Sequence, residues 1–216
     1  MGTNKPMRGL LSYFYYSYSE NIAIVMLLSL VLGVATVITG HTLVNNVFAM
    51  VGVAGIPYII MMGMGGKSYP NWERFQLTMP VRRSHLIGSQ YLCILLASLV
   101  GLPLVVLVKV ITFALHEIDY SLTTALLNTF ALFGTPLMMA GILFPLANTK
   151  FGENKGELFF SIGIFAAIGN FLLIHMVGNI YEWADGIASA VAFAVAVVMF
   201  VMSYLITNRI YAKLDF

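Results

Sequence analysis

Six runs of apolar residues divide this chain, and each is long enough to cross a membrane as a helix. They are Ile22–Gly40, Leu43–Met64, Leu86–Leu115, Leu122–Ala147, Leu158–Gly178 and Gly186–Thr207. About 20 apolar residues, rising 1.5 Å each, cover ~30 Å of hydrocarbon. The runs are continuous and lack the period-2 alternation of a membrane β-strand, so helices are expected. Only 9% of the 216 residues are charged and 60% are hydrophobic. A soluble domain carries about 25% charged residues, so this chain cannot cover a water-facing surface. It reads as an all-α integral membrane protein with six transmembrane helices, a single domain over residues 1–216. The third and fourth runs carry Pro103, Pro136 and Pro145 and are expected to kink there or to begin at the interface.

The charges that remain are sorted by side. Lys5, Arg8, Lys67, Arg74, Arg82, Arg83, Lys150, Lys155, Arg209 and Lys213, ten of the eleven Lys and Arg residues, fall on one face of a six-span chain. The other face receives Glu117, Asp119, Glu182 and Asp185. The positive-inside rule then places both termini in the cytoplasm of a cell-membrane protein. Tyr181 and Trp183 suit an interfacial aromatic belt on the outer side. The net charge of +2 makes no case for nucleic acid, and one cysteine, Cys93, excludes an internal disulfide.

Two cytoplasmic stretches are amphipathic rather than apolar. In residues 5–19, Met7, Leu10, Leu11, Phe14 and Tyr18 share one helical face. This segment is expected to lie in the membrane plane as an interfacial helix before the first span. Between Pro70 and Pro80, Trp72, Phe75 and Met79 share a face, while Glu73, Arg74 and Leu77 point elsewhere. Residues 69–80 are too short to span. On physics alone this helix is either a lipid-surface anchor, the simpler reading, or a docking helix for a cytosolic partner. Gly66-Lys67-Ser68 looks like the end of a phosphate-binding loop, but Met61 stands where its first glycine belongs. Glycines here suit the end of the second span better.

The order of these parts resembles the permease subunits of ABC-2-type exporters. So does Leu77-Thr78-Met79-Pro80-Val81-Arg82-Arg83, followed by Leu86-Ile87 and Tyr91-Leu92, which is similar to the family's L-x-x-P-V-x-R…I…Y-L pattern. Small bacterial permeases that export amphipathic peptides, such as phenol-soluble modulins, look closest. The resemblance implies that 5–19 is an elbow helix and 69–80 a coupling helix. Tyr69, Asn71, Trp72, Glu73, Arg74, Phe75 and Leu77 would then engage a cytosolic ABC ATPase. It implies a second permease subunit, identical or not. It also implies no cofactor in this chain, with ATP and Mg held by the ATPase. In the family, spans two and five border the pathway, which nominates Asn46 and Asn170. Gln90 departs from the pattern, and the outer loop Asn179–Asp185 is short, so no relative's substrate is carried over.

The residues bear independently on the energy source. No acidic residue lies deep in any run, so an ion relay lacks its usual ligands. The short loops hold no ATPase, so the chain is not expected to be an enzyme. An intramembrane hydrolase would need paired groups, yet Ser161 and His175 are about 21 Å apart along one helix. The four histidines are scattered, which gives a metal site no local support. Lys109, inside the third run, is expected to snorkel to the outer headgroups. Asn45 and Asn46 are expected to pair with a neighbouring helix or a dimer mate, and Asn170 likewise. The leading reading is an exporter permease for an amphipathic or hydrophobic substrate, such as a peptide or antibiotic. The alternatives are the six-span substrate-binding component of an energy-coupling-factor importer and a non-transporting membrane partner.

Overall fold

The computed structural model describes residues 5–65, 83–116, 121–147, 156–183 and 186–213. These residues form six α-helices: α1 (Lys5–Thr39), α2 (Thr42–Gly65), α3 (Arg83–Leu115), α4 (Leu122–Ala147), α5 (Gly156–Ile180) and α6 (Ile187–Lys213). All six are long and apolar enough to cross a membrane. Every backbone group in such a helix is paired within its own segment, which hydrocarbon demands. The prolines expected to kink the chain lie inside continuous helices, Pro103 in α3 and Pro136 and Pro145 in α4.

Local chemistry marks the helix ends. Ser121 Oγ accepts the Thr124 N–H at 3.2 Å and caps α4. His41 Nδ1 accepts the Leu43 N–H at 3.2 Å at the start of α2. α5 closes with the Trp183 N–H on the Gly178 carbonyl at 2.9 Å and the Glu182 N–H on Asn179 at 3.4 Å. This is the Schellman pattern, whose left-handed position is usually glycine. Here Glu182 occupies it, at φ 50°. At the α1–α2 turn a glycine is required. Gly40 has φ +61°, and a Cβ there would sit 2.7 Å from His116 Cγ. The His116 ring is held by donating from Nε2 to the Val37 carbonyl at 2.8 Å.

The helices pack as two neighbouring groups. α1, α2 and α3 contact one another, as do α4, α5 and α6, with the α4–α6 pair the most extensive. α4 also meets α2 and α3, and α3 meets α6, which joins the groups. α2 and α3 approach very closely, because a Cβ on Gly101 would overlap the Gly52 carbonyl. Close backbone approach through small residues is how helices gain contact where lipid removes the hydrophobic driving force.

The N-terminal segment departs from expectation. Residues 5–19 are helical, but they run into the first span as one 35-residue helix, about 52 Å long at 1.5 Å per residue. The separate in-plane helix is therefore absent. No Gly or Pro lies between Gly9 and Gly33 to break the helix. Its apolar face also meets protein: Leu10 is buried, and Leu11 and Tyr18 pack against a core that includes Ile60, Met61 and Ile87. Helical periodicity reads the same whether the covering phase is lipid or a neighbouring helix. The side chains of Met7 and Phe14 lie outside the described residues.

Candidate functional site

The basic end of the bundle, where α1 begins and α6 ends, is a packed junction built around Tyr91. The Tyr91 hydroxyl bonds Ser203 Oγ at 2.5 Å and Thr207 Oγ1 at 2.9 Å, both in α6. Its ring sits among Phe144, Phe200 and Tyr204, with centroids 4.8 to 5.3 Å away. Leu86 and Ile87, one turn earlier, are buried as well. The distal half of the sequence motif thus anchors α3 to α4 and α6. Tyr18 of α1 lies directly over Gly63 of α2, where a Cβ would collide with its ring. The segment expected to couple, with Tyr69, Asn71, Trp72, Glu73, Arg74, Phe75 and Leu77, lies outside the described residues. Its two points of departure, the end of α2 and the start of α3, both belong to this junction.

The acidic end has buried polar groups of its own, among them Lys109, Thr129 and Ser189. Lys109 does not snorkel. It is 1% exposed, and its Nζ donates to the Ala125 carbonyl of α4 at 3.2 Å. An ammonium drawn inward exchanges headgroup contacts for a tie between α3 and α4. The same carbonyl accepts Thr129 Oγ1 at 2.9 Å. Near the middle, Tyr58 of α2 donates to Thr135 of α4 at 3.3 Å.

The two pathway candidates fare differently. Asn170 is half-buried and turns toward α6, donating to the Ala192 carbonyl at 3.3 Å. Asn46 lies on the exposed face of α2, while its neighbour Asn45 is buried. An exposed amide at this depth suits a water-lined or protein-lined surface better than lipid.

A three-helix polar chain went unseen in the sequence. His175 of α5 bonds Ser189 of α6 at 3.0 Å, and Ser189 bonds Asn128 of α4. Ser161, the serine considered earlier, instead bonds back to Glu157 in its own helix. Ser189 and Asn128 carry no local signal, because each stands alone in an apolar run and they meet across 61 positions. The His175–Ser189 spacing is that of a base and nucleophile, yet Ser189 is 1% exposed. No substrate carbonyl reaches it in this arrangement. Among the described residues no three His, Cys, Asp or Glu side chains gather to hold a metal.

The site is thus made of helix-to-helix ties and one packed end. No curated protein and no solved structure matches the chain. A family model described as ABC-2 family transporter protein matches residues 11–212. That match takes in all six spans, and the chain belongs to the ABC-2 transporter family as a multi-pass membrane component.

Proposed function

We propose that the chain is the permease subunit of an ATP-driven exporter that moves an amphipathic or hydrophobic cargo, such as a peptide or antibiotic, outward. Its energy comes from a separate cytosolic ATPase, which carries the ATP and Mg and binds residues 69–80. A second permease subunit completes the pathway, with Asn46 on the facing surface. One observation carries the reading. The 66–82 segment joins the end of α2 to the start of α3, and α3 is tied through Tyr91 to α4 and α6. Force applied to that segment would reach those helices together.

The test is a charge reversal outside the membrane. Glu73→Lys with Arg74→Glu should leave expression and folding unchanged. It should reduce ATPase copurification at least tenfold, and transport with it. Normal binding and transport in that variant would leave 69–80 a plain surface anchor. Orientation has its own test. Cysteine at Asp119 should react with an impermeant thiol reagent from outside the cell, and cysteine at Lys155 should not.

A further inference from the structure

Two hydrogen-bond patterns satisfy the polar chain at the acidic end. His175 Nδ1 lies 2.8 Å from the Phe171 carbonyl, one turn back in α5. Its Nε2 lies 3.0 Å from Ser189 Oγ. Ser189 in turn bonds Asn128 Oδ1. A carbonyl oxygen only accepts, so Nδ1 must carry a hydrogen whether the ring is neutral or charged. In the neutral ring Nε2 is then a bare acceptor, and the Ser189 hydroxyl must donate to it. Ser189 has one hydrogen, so Asn128 must then offer its amide N–H instead of its oxygen. In the charged ring Nε2 also carries a hydrogen and donates to Ser189. Ser189 is then free to donate to Asn128 Oδ1, which is the orientation in the structure. Amide oxygen and nitrogen are distinguished by such partners alone.

We propose that His175, Ser189 and Asn128 form a proton-binding relay at the acidic end, in which uptake of one proton at His175 Nε2 reverses the Ser189 hydroxyl and turns the Asn128 amide. The proton comes from water, no other bond is made or broken, and all three hydrogen bonds persist in both states. A buried polar group that is paired in only one charge state resists the other. This site avoids that penalty, so α4, α5 and α6 stay tied while the charge changes. The ring is half-buried and Ser189 is enclosed, so His175 is the member of the relay that is open to the surroundings.

Of the three members of the relay His175 alone changes charge, and among the described residues the cation nearest in the fold is Lys109 of α3, whose Nζ bonds the Ala125 carbonyl one turn before Asn128. α2 and α4, both packed against α5, contain no Asp, Glu, Lys, Arg or His. The one tyrosine of α2, Tyr58, is engaged with Thr135. In α6 the titratable groups are Tyr204, Arg209, Tyr211 and Lys213, all toward the other end. In α5 Glu157 lies about 27 Å away along the axis, at 1.5 Å per residue. Just beyond α5, Tyr181 and Glu182 are exposed to solvent. The relay is independent of the coupling proposal, since it lies at the opposite end of the bundle.

Nitrogen-15 spectra of the histidine-labelled full chain in phosphatidylcholine nanodiscs test it. Spectra are compared at about pH 5 and pH 8, the range over which histidines as a class change charge. The His175 signals are assigned by their loss in His175→Gln, or by replacing His41, His85 and His116 instead. The expected result at pH 8 is the Nδ1–H tautomer with a bare Nε2, the less common form of a free imidazole. At pH 5 both nitrogens should be protonated. An Nε2–H tautomer at pH 8, or a ring that does not change between the two values, overturns the relay. In Ser189→Ala the Nε2 resonance at pH 8 should move to that of a ring nitrogen without a hydrogen-bond donor. An unmoved Nε2 resonance would make His175 a lone imidazole and end the proposal.

Discussion

α4 and α5 are neighbours in the chain, 26 and 25 residues long, and nearly free of charge. Yet 67% of the most apolar stretch of α4 is buried, against 11% of that of α5. Apolar content places both helices in the membrane and does not say which stands at the centre. The difference lies in the small residues and in what they touch. Gly134 of α4 faces Ala196 and Phe193 of α6, and Gly141 faces the backbone at Met199 and Phe200. Ala125, Ala131 and Ala140 of α4 are buried too. In α5, Gly169 has nothing within 4 Å of its would-be Cβ, and Phe165, Leu172, Leu173 and Met176 are exposed. A central membrane helix needs backbone proximity on several sides. A peripheral one needs it on one side, which Gly163 supplies against Met139.

The largest expected effect comes from filling the glycines. At Gly134 a Cβ alone would stand 3.0 Å from Ala196 Cβ and 3.5 Å from the Phe193 backbone. Gly134→Leu should destabilise the bundle by about 3 kcal/mol, the upper end for overpacking. Gly169→Leu should stay within about 0.5 kcal/mol. Reversible unfolding in mixed micelles compares the two. Equal costs would erase the distinction between the helices.

Truncation should give a smaller contrast. Met139 of α4 is fully buried and Phe165 of α5 is 75% exposed. Met139→Ala should cost about 2 kcal/mol, the low end for a core methionine, because lipid solvates apolar groups as well as protein does. Phe165→Ala should cost close to nothing in the same assay. A Phe165→Ala loss above about 1 kcal/mol, growing with protein concentration, would show that a second copy covers the α5 face.

The smallest effect sits at the end of α5. Glu182 holds a left-handed conformation that costs a non-glycine residue roughly 1 kcal/mol. Glu182→Gly should therefore raise stability by about 0.5 to 1 kcal/mol, unless the added freedom of the unfolded chain offsets it. A drop in stability would mean that the carboxylate makes a contact worth more than the strain.

Much of this was legible along the chain. Five of the six spans fall within about six residues of the helices observed, because hydrocarbon imposes length and continuity on the sequence itself, while α1 begins 17 residues before the first expected span. The family pattern at Leu86, Ile87 and Tyr91 was legible as well, although not the reason for Tyr91, whose partners Ser203 and Thr207 stand more than 100 positions away. Leu10, Leu11 and Tyr18 share an apolar face that packs on protein, in a helix continuous with the first span rather than set apart from it. Periodicity reports which side is apolar and not what covers it.

By itself, then, the sequence determined the solvent, the number of crossings and the distribution of charge between the two ends. Those follow from composition and order along one dimension. Only the tertiary structure decided that Lys109 turns inward to Ala125, that α4 is central and α5 peripheral, and that His175 meets Ser189 and Asn128. Each of these depends on which helix faces which, and in lipid that choice is made by shape and by a few polar pairs. An isolated serine or asparagine in an apolar run acquires its meaning when a partner from another helix arrives within hydrogen-bonding distance.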